Sequence, residues 1–190
     1  MGRWEPDSRG RLQEAALALY SERGFDQTTA AEIAARAGVT ERTFFRHFAD
    51  KREVLFGRSE VLRDRIVAGV ASAPAGLTPL DAVACGLDAA ATLLGGAGRR
   101  SLSAQRQAVI ATNPELRERE LAKLADYAAA VAVALRQRGA GELQATLAAE
   151  AGMTVLRVAM ERWANGGGDR SLADVMTASM AELRAVTAGD

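Results

Sequence analysis

Between Thr40 and Lys51 the chain reads TERTFFRHFADK, and its polar side chains recur at a spacing that can read a nucleic acid. Residues four apart share one face of a helix, so Arg42 lines up with Arg46 and Thr43 with His47 beside them. Phe44 and Phe48 share a different face, with Phe45 between. A helix of this kind has an apolar anchor on one side and an outer face rich in hydrogen-bond donors. Arginine reads guanine with its fork of donors, and threonine can touch a thymine methyl, so such a face suits the major groove of duplex DNA. From spacing alone the competing reading is a surface helix whose charges are merely solvated.

The stretch before it supplies the elements that hold this helix. Ala30 to Ala37 carries Ile33, Ala34 and Ala37 at helical spacing. Thr29, with Glu32 three residues later, forms a capping-box signature. Gly38 suits the left-handed position that ends a helix, and Thr40 caps the next one, from Glu41 to about His47. The result is two short helices joined by a tight turn.

The pattern RGRLQEAALALYSERGFDQTTAAEIAARAGVTERTFFRHFADKREVL, from about Arg9 to Leu55, resembles the DNA-binding domain of the tetracycline-repressor (TetR) family. The likeness rests on the Gly-Phe and Thr-Thr before the second helix, Ala-Gly-Val-Thr at the turn, and Thr-Phe-Phe-Arg-His-Phe with a following lysine. It implies an all-helical transcriptional regulator, a repressor released by a small apolar or amphipathic molecule. It also implies a homodimer through a four-helix interface of helices eight and nine, a ligand pocket among helices four to eight, and a double-stranded operator of two inverted half-sites. On this resemblance Thr29, Thr40 and Lys51 hold phosphates, Arg42, Thr43 and Arg46 face base edges, His47 meets a phosphate or a base, and Phe45 belongs to the same DNA-binding set. Two positions depart from the family pattern. Phe45 stands where tyrosine is common, which removes a hydroxyl contact to phosphate. Arg46 occupies a variable groove-facing position, so the bases it reads cannot be borrowed.

Composition sets the wider bounds. The 190 residues are 48% hydrophobic and 25% charged, with only 5% aromatic, an ordinary balance for a globular chain rich in helix formers. Net charge is +0, so any attraction to DNA must be local. From Arg36 to Arg52 there are five cationic residues (Arg36, Arg42, Arg46, Lys51, Arg52) and two acidic ones (Glu41, Asp50), a difference of 5 − 2 = +3. Cys85 is the sole cysteine and His47 the sole histidine. That excludes a cysteine cluster, an intrachain disulfide and a multi-histidine metal site, and no acid–histidine–nucleophile set can be assembled. No metal or cofactor is expected. Apolar runs stay short of a membrane span and no signal-peptide core is evident, so the expected compartment is the cytoplasm, with no membrane partner. Two other functional classes stay open: a helical adaptor that binds only protein partners, which leaves the cationic stripe unexplained, and a carboxylate-based hydrolase using a pair such as Glu118 and Glu120.

The expected architecture is all-α, with about nine helices in two domains: residues 1–49, a helix-turn-helix bundle, and residues 50–190, a ligand-binding and dimerisation domain. Met1 to Asp7, with Arg3, reads as a loose arm. The first helix runs from about Ser8 to Arg23, burying Leu12, Ala15, Ala16, Leu19 and Tyr20. Three helices in under fifty residues make a thin core, so this bundle should lean on the chain beyond it. Asp50 and Glu53 predict a fourth helix reaching about Ala71, with Leu55, Leu62 and Ile66 on its apolar side. Gly95-Gly96-Ala97-Gly98 is a break. Leu121, Leu124, Ala128, Val131 and Leu135 form a seam on the seventh helix. The eighth carries two apolar faces, one with Leu147, Ala151, Val155 and Val158, the other with Met153, Leu156, Met160 and Trp163. Gly166-Gly167-Gly168 ends it, and a ninth helix starts after Ser171. Tyr127, Met153, Met160 and Trp163 are the candidate ligand-lining residues, with plain core packing as the alternative.

Overall fold

The computed structural model describes residues 7–96, 98–166 and 169–188. Arg3, Ala97, Gly167 and Gly168 therefore lie outside the described residues. Among those described, every regular element is helical: α1 (Ser8–Arg23), α2 (Ala30–Arg36), α3 (Glu41–His47), α4 (Ser59–Ala71), α5 (Pro79–Leu94), α6 (Arg99–Thr112), α7 (Pro114–Gln137), α8 (Glu142–Asn165) and α9 (Leu172–Ala188), with a 3-10 turn at Glu53–Phe56.

Most helix starts are set by a side chain. Thr29, Thr40 and Thr78 accept the N–H of the residue three later, and Ser171 does the same for Asp174. Each satisfies a donor that the helix itself leaves without a partner. Gly38, at φ 68, turns the chain between α2 and α3, a backbone conformation that costs glycine little.

The chain folds as two compact units. The first holds the described residues up to Arg58 together with Gln105–Glu120, so it reaches beyond residue 49 and recruits a later hairpin. Its core packs Leu12, Ala16, Leu19, Tyr20 and Phe25 against Ile33, Phe44, Phe48, Val54 and Phe56. Val109, Ile110 and Leu116, from the end of α6 and the start of α7, complete it. The small bundle does lean on later chain, and that chain comes from far along the sequence.

The expected continuous fourth helix is interrupted. Asp50 does cap, taking N–H bonds from Arg52 (2.7 Å) and Glu53 (3.1 Å), but it starts a 3-10 turn. Val54, Leu55 and Phe56 are all buried, and three consecutive side chains cannot share the narrow apolar face of a 3.6-residue helix. Gly57 then runs so close to α1 and α3 that a Cβ there would lie 2.8 Å from the Phe48 ring. The apolar side assigned to one helix is thus divided: Leu55 belongs to the first core, Leu62 and Ile66 to the second.

The second unit, Ser59–Ala104 with Leu121–Asp190, is built around α5. Its Ala82, Val83, Gly86, Leu87, Ala90 and Ala91 are all buried, because α4 packs on one side and α8 and α9 on others. Small residues let the axes approach: a Cβ on Gly69 of α4 would sit 2.8 Å from the Gly86 Cα. Arg138 closes the α4–α5 turn by donating to the carbonyls of Ala71 (3.1 Å), Ala73 (2.7 Å) and Pro74 (2.7 Å). Leu121 falls outside the α7 seam, at 60% exposed, being at the edge of a stripe centred on Leu124, Ala128, Val131 and Leu135. The faces of α8 also divide differently from expectation: Val155 is buried with Met153, Leu156 and Trp163, while Leu147 is 61% exposed.

Candidate nucleic-acid interface

The third helix is anchored by its aromatic face. Phe44 is completely buried and Phe48 nearly so, with ring centroids 5.7 Å apart. Burying two such side chains fixes the rotation of a seven-residue helix that could not persist alone. The opposite side then faces solvent: Arg42, Phe45 and Arg46 are exposed, Thr43 and His47 half-buried.

The local cations fall into two groups. Arg36 is held by the Glu22 carboxylate through two hydrogen bonds of 2.7 and 2.6 Å. Arg52 is held by Asp50 at 2.7 Å, and Arg23 by Glu32 at 3.2 Å. Arg42 and Arg46 have no hydrogen bond or ion pair among the described residues. With Lys51 bonded to carbonyls, the five cations read from sequence leave two uncommitted guanidinium groups, one turn apart on the exposed face of α3.

Lys51 is engaged within the protein. Its ammonium donates to the carbonyls of Phe25 (2.8 Å), Thr28 (3.0 Å) and, at longer range, Asp26 (3.4 Å), and sits 4.2 Å from the Phe25 ring centroid. An ammonium has three donors, and here all three point into the α1–α2 turn. The Lys51 carbonyl meanwhile accepts from the Tyr20 hydroxyl at 2.5 Å. Burial, then the nearby Asp50 charge, pushes the Tyr20 phenol above its ordinary pKa, which keeps it protonated and donating.

The other expected contact residues are also engaged. Thr29 completes its capping box: the hydroxyl donates to the Glu32 carboxylate (2.9 Å) and accepts the Glu32 N–H (3.2 Å). The Thr29 backbone N–H and hydroxyl, both bonded to Glu32, hold that carboxyl below its usual pKa, so a negative charge already stands at the start of α2, where a phosphate was expected. Thr40 is an N-cap whose hydroxyl lies 3.0 Å from that of Thr43. The His47 Nε2 is 2.9 Å from the Ser8 hydroxyl, tying the end of α3 to the start of α1. Burial, followed by the charges of Arg46 and Arg9, lowers the His47 pKa, which disfavours the charged ring. Phe45 is 53% exposed and rests edge-on against Phe44.

Family models match both parts of the chain. Residues 12–56 match bacterial regulatory proteins of the tetR family, and residues 77–188 match the MftR C-terminal domain. The chain belongs to the tetR family. Among curated relatives, the HTH-type transcriptional regulator TcmR of Streptomyces glaucescens is 38% identical over 76 residues, 40% of this chain and 34% of that protein. The HTH-type transcriptional repressor KstR2 of Mycobacterium tuberculosis is 42% identical over 55 residues, 29% of this chain and 26% of that one. The chain thus matches about a third or less of the length of these relatives. The fold likeness is longer. The SmeT–triclosan complex superposes with a TM-score of 0.62 at 20% identity, over 94% of this chain and 90% of that one. FadR of Bacillus subtilis in complex with stearoyl-CoA gives 0.59 at 20% identity, over 92% and 96%.

In this tetR-family chain the candidate ligand residues belong to the second unit's core. Tyr127, Met153 and Trp163 are buried there, and Met160 packs partly buried against them. Two residues absent from the sequence reading act at the first unit. Arg106 donates to the Leu55 carbonyl (3.0 Å), pairs with Glu120 (3.1 Å) and lies over the Phe56 ring (5.0 Å). Arg119 pairs with Glu53 at 2.5 Å. Partners 51 and 66 positions apart leave no periodic trace in a sequence.

Proposed function

We propose that this chain is a sequence-specific DNA-binding transcriptional repressor of the bacterial cytoplasm, released from its operator by a small apolar or amphipathic effector. The observation that carries the reading is the pair of uncommitted guanidinium groups, Arg42 and Arg46, on the exposed face of a helix whose opposite face is locked by Phe44 and Phe48. Every other cation of that segment has a protein partner, which leaves these two for base edges. Thr43 flanks them. Thr29, Thr40 and His47 act by fixing the two helices, with phosphate contact confined to groups their own bonds leave over.

The effector reading rests on the apolar core around Tyr127, Met153, Met160 and Trp163, and on fold neighbours whose complexes hold stearoyl-CoA and triclosan. The reading as a homodimer through α8 and α9 rests on Leu143, Leu147 and Val186, which are 72%, 61% and 79% exposed. Among the described residues, no single helix is long and apolar enough to cross a membrane.

Selecting duplexes from a random pool with the full chain, then titrating the winners at several salt concentrations, tests the first part. A selected sequence bound with a steep salt dependence supports it; uniform binding of all duplexes overturns it. Stearoyl-CoA added to the complex tests the second: linkage requires DNA to weaken acyl-CoA binding by the factor that acyl-CoA weakens DNA binding. Leu147→Asp tests the third. Because Leu147 is exposed in the isolated chain, it should leave the helical content intact and shift sedimentation from dimer to monomer, whereas Val155→Asp, buried within the chain, should unfold it.

A further inference from the structure

The exposed ring of Phe45 has no polar group with which to bind a phosphate. It is the only large apolar side chain on the exposed side of α3, and it lies three residues from Arg42 and next to Arg46, so all three share the outer half of the helix. The ring does not hang free: its edge packs on the buried Phe44, with centroids 5.3 Å apart and planes at 83°. A side chain that is half exposed yet positioned by a fixed neighbour can serve as a contact surface at little cost in ordering.

We propose that Phe45 is a specificity-determining residue that reads the C5-methyl group of a thymine in the major groove. This rests on the proposal that α3 reads duplex DNA. In the major groove the base edges present hydrogen-bond donors and acceptors, and the thymine methyl is the apolar feature among them. An exposed aromatic beside two arginines has that one partner of its own kind. The arrangement divides the work: Arg42 and Arg46 take acceptor pairs, and Phe45 covers a methyl beside them.

The test uses duplexes selected by the full chain, with each thymine in turn replaced by deoxyuridine, which removes the methyl and leaves base pairing unchanged. The unaltered protein should lose about fourfold in affinity for the one methyl in each half-site that the ring covers. Phe45→Ala should bind the thymine duplex more weakly and show no further loss on deoxyuridine at that position. Phe45→Tyr, which keeps the ring against Phe44, should show a reduced loss there, and Thr43→Ser should retain it, separating this methyl from one met by Thr43. Indifference of the unaltered protein to every replacement overturns the proposal, as does a full deoxyuridine penalty in Phe45→Ala, or a uniform loss on all duplexes that would mark a backbone contact. Failure to select any duplex is a different result: it sinks the reading of α3 as a DNA-binding helix.

Discussion

The Lys51 ammonium lies 2.8 Å from the Phe25 carbonyl oxygen, joining the segment after α3 to the turn before α2. Together with the bonds to Thr28 and Asp26 and the Tyr20 hydroxyl on the Lys51 carbonyl, it makes this lysine a clamp on the helix-turn-helix. Lys51→Met removes charge-assisted hydrogen bonds and leaves the Phe25 carbonyl only the Thr28 N–H, so the unfolding free energy should fall by about 1.5–3 kcal/mol. Urea denaturation measures this. The slope of log affinity against log salt should stay as in the unaltered protein. A slope reduced by about one per lost phosphate contact would restore the phosphate role read from sequence.

Arg42→Ala and Arg46→Ala should behave in the opposite way. Both side chains are exposed and uncommitted, so stability should change by less than about 0.5 kcal/mol. Operator affinity should fall by about 1–3 kcal/mol for each bidentate base contact removed, with preference relaxed at one position per half-site. Titrations on selected and scrambled duplexes compare the two. If both variants keep full sequence preference, α3 is not the reader.

His47 should confer a pH dependence on stability. Its folded pKa is lowered from the ordinary 6.5 by burial and by Arg46 and Arg9. The unfolded chain therefore takes up a proton at higher pH than the folded one. The corresponding stability is fully present above about pH 6.5 and is lost as pH falls from there through the folded pKa. Thermal unfolding between pH 5 and pH 7.5 should show this loss, and His47→Gln should flatten that part of the profile. An unchanged profile in His47→Gln would mean that another group titrates.

Arg106 joins the middle of α6 to the 3-10 turn that comes after α3. Arg106→Met should cost about 1–3 kcal/mol, since it forfeits the bond to the Leu55 carbonyl and the stacking on Phe56 and leaves the Glu120 carboxylate without this partner. Both α6 and α7 continue from the first compact unit into the second. On the proposed function, the same variant should shrink the effect of an effector on operator affinity, a coupling of about 1–3 kcal/mol in typical cases. Denaturation and paired binding titrations check the two effects separately, and an undiminished coupling would remove Arg106 from that path.

Much of the fold was legible in the sequence because helix formation is local. Thr29, Thr40, Thr78, Asn113 and Ser171 cap within three residues of themselves, so a window of a few residues contains both the donor and the acceptor. The division of α3 into an aromatic face and an arginine face was equally local, since a period of 3.6 residues places Phe44 and Phe48 together wherever the helix packs.

Tertiary structure decided the quantities that depend on distant partners. A charge count places five cations between Arg36 and Arg52, but only the folded chain shows that Glu22, Asp50 and the carbonyls near Phe25 occupy three of them. Periodicity joined Leu55 to Leu62 and Ile66, whereas two separate cores claim them, because three adjacent buried side chains and the close passage of Gly57 stop the helix. Nor could an apolar stripe say that Val109, Ile110 and Leu116 would fill the core begun by Leu12, or that Leu147 and Phe45 would be left facing water. Hydrophobic burial is non-directional: a sequence states which side chains need cover, and only the fold states what covers them.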